Sequence, residues 1–298
     1  MGRDAGVRAK RESVRRLMDE KGLSLSQALK AAELAKSSWY YRATLRRPRP
    51  LNPQLVAAIE AAWSKSRGVY GYRKVHATLR AGGLWVNQKA VLRHLRVMQR
   101  LQPRTIKGQR WTRPRVVTPT VSNVYWEMDL TDVWCGSRFG YLFAVVDACD
   151  NGIPGTQCGD RCRAVEAVEA LEEAVAARCD GGRVPEGHRL ILRVDRGRQF
   201  VARRFRAAAK ALGVTLEYAG IQCPEDKPHI ERFFGYYKTE EVYRNAYTTL
   251  AEAQVGWQLY RVWYEADRVH QSLGYQTPDA IRHGALDLVF SKAQHGTV

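Results

Sequence analysis

Three acidic residues in the second half of the chain, Asp129, Asp195 and Glu231, are of the type that divalent metal ions require as ligands. Reactions of phosphodiesters use two such ions to bridge the attacking and leaving oxygens, and hard oxygen ligands hold Mg²⁺ for this purpose. Taken singly, each acid is better explained by a salt bridge, a turn or a helix dipole. As a set from three elements that can meet at one sheet edge, they predict a metal site that acts on phosphodiesters.

Asp129 lies in a segment, residues 124–133, whose apolar and polar residues alternate and predict a strand. The period of two places Trp126 on a core face and Asp129 on the opposite, accessible face, together with Glu127. Asp132 falls on the side of Trp126. It is therefore the weaker candidate, although it is three residues from Asp129.

The other two acids stand at the ends of predicted elements. Asp195 follows an apolar strand over residues 190–194, and the carboxyl ends of strands are where open α/β sheets place their sites. Glu231 lies in the first turn of a helix predicted over residues 230–243. Gly235, one turn later, leaves room for a substrate beside it.

The predicted strands that carry these acids first pair locally and then alternate with helices. This order predicts an α/β domain with a mixed sheet and flanking helices. Short helices precede it, with Ser24, Ser37 and Asn87 as expected N-caps. The predicted order is a helical DNA-binding region at 1–50, a helix-turn-helix module at 53–102, a basic Pro-rich linker at 103–120, the catalytic core at 121–285 and a tail at 286–298.

Charge is distributed unevenly along the chain, whose formal net charge is +18. Residues 1–118 hold 27 Lys/Arg and 6 Asp/Glu, whereas the remainder holds 21 and 24. A basic half joined to a near-neutral half indicates a nucleic-acid-binding region fused to another function. No apolar run is long enough to cross a membrane, and the six scattered cysteines fit a reducing cytoplasm.

The helix predicted from Gln88 to about Arg100 has the pattern of a DNA-recognition helix. It is preceded by a short helix and a Gly turn, and a cationic face spaced by 4, 3 and 4 residues accompanies its apolar stripe. A basic helix face exposed to solvent is the competing interpretation. The candidate DNA contacts on this face are Lys89, Arg93, Arg96 and Arg100.

The strings around the three acids resemble the motifs of the DDE transposase and retroviral integrase superfamily. They read Trp-Glu-Met-Asp-Leu-Thr at 126–131, Val-Asp-Arg-Gly-Arg-Gln-Phe at 194–200 and Asp-Lys-Pro-His-Ile-Glu-Arg-Phe-Phe-Gly at 226–235. Thirty-five residues separate Asp195 from Glu231, as in the typical motif of that superfamily.

Two further strings resemble the downstream-frame product, OrfB, of bacterial insertion sequences. Tyr-Gly-Tyr-Arg-Lys-Val-His at 70–76 is similar to its helix-turn-helix module, which adds Arg73 and Lys74 as DNA-contact candidates. His-Gln-Ser-Leu-Gly-Tyr-Gln-Thr-Pro at 270–278 is similar to its C-terminal motif. In the family the motif often has an Asn and an Arg-Pro before the His, whereas here Asp267, Arg268 and Val269 precede it.

This resemblance implies a ribonuclease-H-like core that cleaves DNA and transfers strands with two Mg²⁺ or Mn²⁺ ions on Asp129, Asp195 and Glu231. It implies that Lys238 contacts DNA. The expected partners are the terminal inverted repeats, target DNA, further copies of the chain in a synaptic complex and an upstream-frame product, OrfA, joined by frameshifting. The expected location is the bacterial cytoplasm, at the nucleoid.

Two other functions compete with this one. The first is a DNA-binding regulator with an inactive integrase-like domain, against which the complete set of three acids argues. The second is a covalent tyrosine recombinase, but no Arg-His-Tyr arrangement supports it. Cys158 and Cys162 lack paired partners of the kind that bind zinc.

Overall fold

A computed structural model describes residues 2–41, 50–101, 119–220 and 227–284. The chain divides into two compact units, residues 1–51 and 52–298. The predicted linker and C-terminal tail lie almost wholly outside the described residues. None of the described helices is long and apolar enough to cross a membrane.

The first unit contains three helices, α1 (Gly2–Lys21), α2 (Leu25–Ala31) and α3 (Lys36–Tyr40). A small core of its own includes Val14, Ala28, Leu29 and Leu34. Ser24 caps α2 in a capping box with Gln27, as predicted. The prediction for Ser37 was wrong, because α3 begins two residues earlier than that cap would require, with Ala35 at the N-cap.

Residues 52–101, called the helix module below, contain α4 (Pro53–Lys65), α5 (Tyr72–Ala81) and α6 (Gln88–Val97). Asn87 caps α6 by accepting a hydrogen bond from the N–H of Lys89 at 2.8 Å, as predicted. The prediction that α6 runs to Arg100 was wrong. Gln99 has a φ of 57°, a left-handed conformation that ends the helix without a glycine.

The described part of the second unit contains a five-stranded sheet in the order β3-β2-β1-β4-β5. β1 is antiparallel to β2, which is antiparallel to β3, while β4 is parallel to both β1 and β5. The predicted mixed sheet is confirmed. The strands are β1 (Tyr125–Cys135), β2 (Arg138–Asp147), β3 (Gly155–Gly159), β4 (Leu190–Val194) and β5 (Val214–Tyr218).

Helices cover both faces of this sheet. One face packs against α7 (Ala164–Arg178), α8 (Arg198–Val201) and α9 (Arg203–Ala211). The other packs against α10 (Pro228–Glu240) and α11 (Leu250–Ala266), after which comes α12 (Pro278–Arg282). Trp126 and Met128 lie in the first core, whereas Val133 and Cys135 lie in the second. The predicted alternation of β1 is confirmed, and it turns Asp129 toward the face of α10.

The helix module shares the second of these cores with α10 and α11. The hydroxyl of Tyr70 donates to the carbonyl of Asp267 at 3.0 Å and accepts from the N–H of Val269 at 2.8 Å. The indole N–H of Trp263 donates to the carbonyl of Lys65 at 3.3 Å. The helix module is thus fixed to the side of the sheet that α10 and α11 cover, within one compact unit.

Candidate active site

Asp129 is held on β1 with its carboxylate partly open to solvent. Oδ1 accepts a hydrogen bond from the N–H of Leu130 at 2.9 Å, and 23% of the side chain is exposed. Burial raises the pKa of Asp129 above its ordinary value, and the neighbouring Lys227 opposes this effect without cancelling it. Much of the carboxylate's capacity to accept further bonds or bind a cation is left for another ligand.

Asp195 follows β4, as the sequence predicts, and the parallel pairing of β4 with β1 places it beside Asp129. Its Oδ1 accepts a hydrogen bond from the N–H of Gly197 at 2.7 Å. A Cβ at position 197 would stand 2.8 Å from that oxygen and 2.5 Å from the amide nitrogen of Gln199. The Asp-x-Gly-x-Gln string is therefore a tight turn that orients the carboxylate.

One cation joins the two aspartates. Lys227 Nζ lies 2.9 Å from Asp129 Oδ2 and 3.7 Å from Asp195 Oδ2, and its side chain is 7% exposed. A buried ammonium balances two carboxylates that would otherwise repel each other. Lys227 was not singled out from the sequence, although it stands inside the third motif string, directly before Pro228.

Glu231 is in the first turn of α10, and its N–H donates to the carbonyl of Lys227 at 3.2 Å. Its side chain is exposed, and a Cβ at Gly235 would meet nothing within 4 Å. Among the described residues, no group of three His, Cys, Asp or Glu side chains is close enough to hold a metal. The structure therefore brings two of the three predicted acids together, with Glu231 on the adjoining helix turn.

Glu127 fixes the start of the helix that carries Glu231. It is fully buried, and its Oε2 accepts hydrogen bonds from the N–H groups of His229 and Ile230 at 2.8 and 2.9 Å. Burial raises its pKa to about 7, against the opposing effect of these hydrogen bonds. Sequence reasoning missed this role, although the shared strand face with Asp129 was a usable signal.

The predicted DNA-contact residues differ in how available they are. Lys89 and Arg96 are exposed, and Lys238 pairs with the exposed Asp132 at 3.2 Å. Arg100 does not share the α6 face, because it follows the helix, pairs with Glu60 at 3.0 Å and stacks on Trp63. The half-buried Arg93 remains on α6. Arg73 is exposed at the start of α5, and Lys74 lies over the ring of Tyr70.

Comparison with known families identifies the domain that holds these residues. Residues 119–224 match an integrase core domain, residues 212–278 match a second model with the same description, and residues 50–104 match an HTH-like domain. The two integrase core matches together span more than half of the chain. The chain belongs to the integrase core family. Its mixed sheet with flanking helices is the ribonuclease-H-like core that the sequence resemblance implied.

Relatives of this integrase core protein include insertion-sequence transposases. It is 27% identical over 275 residues to the probable transposase for insertion sequence element IS1353 of Shigella flexneri, a match that covers 87% of this chain and 52% of the relative. The chain thus spans about half the length of that relative. It is 25% identical to the putative transposase InsK for IS150 of Escherichia coli K12, over 87% of this chain and 93% of the relative. The predicted kinship with insertion-sequence transposases is confirmed.

A solved structure is also similar to this integrase core protein. It is a chain of the simian T-cell lymphotropic virus intasome in complex with PP2A regulatory subunit B56 gamma, with 17% identity and a TM-score of 0.49. The match covers 75% of this chain and 74% of that one.

Proposed function

We propose that this integrase core protein cleaves and rejoins DNA at the ends of an insertion sequence, with Asp129, Asp195 and Glu231 as its metal ligands. One observation supports the proposal most directly. A single ammonium group lies between the carboxylates of Asp129 and Asp195, at a point where a cation is electrostatically favoured. This is the position that a divalent ion would take over.

The residues present fit such an ion. Both aspartates offer carboxylate oxygens, which are the ligands that Mg²⁺ and Mn²⁺ prefer. Two bound ions would activate water or a terminal 3′-hydroxyl and stabilise the leaving oxygen. Glu231, one helix turn beyond Lys227, is the third oxygen ligand that we assign.

The chain's own residues prepare the site for this chemistry. Lys227 keeps Asp129 and Asp195 together while their charges are otherwise unbalanced. Glu127 holds the first turn of α10 against β1, and so sets the direction from which Glu231 approaches. Lys238, two turns along the same helix, extends a positive charge from the site toward bound DNA.

The same proposal names the partners. The helix module, with the exposed Lys89 and Arg96, binds the terminal inverted repeats, and the acid site receives target DNA. We expect further copies of the chain in the synaptic complex, an upstream-frame fusion partner and a place at the bacterial nucleoid.

The decisive experiment replaces each acid without changing its size. Asp129→Asn, Asp195→Asn and Glu231→Gln should each abolish strand cleavage and strand transfer on DNA that carries the element's ends, in Mg²⁺ or Mn²⁺. The loss should be at least ~10³-fold, the upper range seen when one transition-state contact is removed. Binding of the DNA ends should survive in all three variants, because the substitutions leave the helix module untouched.

Asp132→Asn is the matched control, since it removes a nearby exposed carboxylate that pairs with Lys238 and not with Lys227, and it should retain cleavage. If Asp132→Asn were inactive and Asp129→Asn cut DNA normally, the assigned strand face would be wrong. Cleavage retained in Asp195→Asn or Glu231→Gln would overturn the metal site. A wild-type protein that binds the ends and never cuts them would instead be a DNA-binding regulator.

A further inference from the structure

A large cleft opens where the start of α5 faces α10 and the segment that follows α11. Its volume is about 1090 Å³, slightly above the usual range for ligand pockets. It brings together the 70–76 and 270–278 strings, which are nearly 200 residues apart and whose joint role the proposed function leaves open. The residues that line it include Tyr72, Arg73, Lys74, Arg232, Tyr236 and Ser272.

The cleft is strongly cationic. Arg73, Lys74, Arg232 and Arg268 line it, and among its described lining residues Glu240 is the one acid. Glu240 is already engaged, because both of its oxygens accept hydrogen bonds from Arg268 at 2.7 Å. The remaining positive charge has no equivalent negative charge on the cleft wall, which favours an anionic ligand.

Lys74 is an example of a positive charge in the cleft that forms no ion pair with a described carboxylate. Its ammonium lies 4.9 Å from the centre of the Tyr70 ring, and no carboxylate of the described chain is within 4 Å of it. Burial, together with the charge of Arg268, lowers the pKa of Lys74 to about 7. A phosphate group in the cleft would offset both effects.

The cleft shares helix α10 with the proposed reaction centre. Arg232, on its wall, directly follows Glu231, and His229, also on its wall, is bonded through its N–H to Glu127. One turn of α10, residues 229–232, therefore carries both Glu231 and residues of the cleft wall. A cleft of about 1090 Å³ has room for one or two unpaired nucleotides. It is too small for a DNA duplex, whose major groove alone is about 12 Å wide.

We propose that this cleft binds an unpaired nucleotide of the DNA strand at the cut end. Its phosphate would lie against Lys74, Arg73 and Arg232, and its base against Tyr72 and Tyr236. Cations interleaved with aromatic rings are the usual surface for single-stranded DNA. This inference rests on the proposed function, because it takes the cut end as the source of the unpaired strand.

The test compares two fluorescent duplexes of one sequence, one blunt and one with a three-nucleotide single-stranded extension, bound to the full chain in Ca²⁺. The wild-type chain should bind the extended DNA about tenfold more tightly, as stacking of one base provides. Lys74→Met and Arg232→Gln should each lose most of that preference. Tyr72→Leu should lose the quenching of a 2-aminopurine placed in the extension.

Lys210→Ala is the matched control, since it removes an exposed cation from α9 on the opposite face of the sheet and should keep the full preference. Equal binding of both duplexes by the wild type would overturn the proposal, and so would an unchanged preference in Arg232→Gln together with unchanged quenching in Tyr72→Leu. Competition by free deoxynucleoside monophosphate at micromolar concentration would overturn it as well, because the site would then serve a small ligand.

Binding in Ca²⁺ requires no cleavage, so the two proposals fail separately. An inactive Asp195→Asn with no extension preference in the wild type would remove the cleft assignment alone. An active Asp195→Asn would remove the metal site and leave the measured preference as evidence for strand binding.

Discussion

Two pairs of aspartates in this protein have similar composition and opposite character. Asp129 and Asp195 are bridged by Lys227, and their side chains are 23% and 44% exposed. Asp147 and Asp150 lie near Arg178, and both are fully buried. Each group is two acids and one cation, so the count of charges does not separate a reactive site from a structural one.

Hydrogen bonding to the acids does separate them. Asp147 accepts from the N–H groups of Asn123 and Cys149 and from the indole of Trp126, at 2.7 to 3.1 Å. Asp150 accepts from the side chains of Ser122 and Arg178 and from the N–H of Gly152, at 2.6 to 3.4 Å. Within the described part of the chain, Asp129 and Asp195 each accept one backbone hydrogen bond, in addition to their contact with Lys227. Fewer hydrogen bonds, rather than burial of charge, distinguish the pair that we propose as metal ligands.

The largest expected effect concerns the same substitution in the two pairs. Asp150→Asn removes one partner of a buried, hydrogen-bonded ion pair and should cost about 3–5 kcal/mol in the free energy of unfolding. Asp129→Asn should leave that free energy unchanged or raise it, because it relieves burial of a charge. Urea denaturation of the two variants measures the difference. Equal destabilisation would show that both pairs are structural.

The next largest difference is expected between substitutions of the two cations, Arg178 and Lys227. Arg178→Met should destabilise the fold like Asp150→Asn, because it leaves Asp150 buried and unpaired. Lys227→Met should instead tighten Mn²⁺ binding by about tenfold, or ~1.4 kcal/mol, since the competing ammonium is gone. Titration calorimetry on the metal-free protein measures this. Weaker Mn²⁺ binding in Lys227→Met would mean that the lysine assists the metal rather than standing in for it.

Glu127 combines features of both pairs, being fully buried yet adjacent to the site. Glu127→Ala removes the acceptor for two N–H groups of α10 and should cost about 1–2 kcal/mol, as loss of a helix cap does. It should also lower kcat, because the turn that carries Glu231 is released. Glu127→Gln keeps an accepting oxygen and should restore most of kcat. A role in stability alone would leave the kcat of the folded Ala variant unchanged.

The smallest effect is a pH dependence of stability in the buried pair. Burial, together with Asp150, raises the pKa of Asp147 to about 6 from an ordinary value of 3.8. Between these two pH values the folded chain binds more protons than the unfolded chain. The protonated Asp147 side chain therefore stabilises the fold below about pH 4, and this stabilisation is lost as the pH rises through about 6. Asp147→Asn should therefore gain stability relative to the wild type as the pH rises from 4 to 7. A constant difference in urea midpoints over this range would contradict the assignment.

Local pattern was enough to predict much of this site. The alternation of β1 identified the face of Asp129, and the apolar run before Asp195 placed it at a strand end, because both depend on neighbours in sequence. Asn87 was recognisable as a cap for the same reason. The end of α6 could not be predicted in this way, because Gln99 adopts a left-handed conformation at a position where the sequence has no glycine.

Such local patterns could not predict the long-range contacts of the site. Lys227 reaches Asp129 across 98 positions of sequence, and Glu127 caps a helix that begins 101 positions later. Neither pairing follows from a periodicity, because each depends on how α10 is laid against β1. The same holds for the cleft, whose walls come from residues near 72 and 271.

The attachment of the helix module to α10 and α11 bears on how relatives of this protein acquire new DNA preferences. A module transplanted from another element would bring a foreign turn against the backbone of Asp267 and Val269, where the hydroxyl of Tyr70 now makes two hydrogen bonds. Exchange of the whole helix module would therefore require matching changes on the surface of the core domain that contacts it. Substitutions at exposed positions such as Lys89 and Arg96, which we propose contact DNA, require no such changes, so new DNA preferences should arise residue by residue on α6.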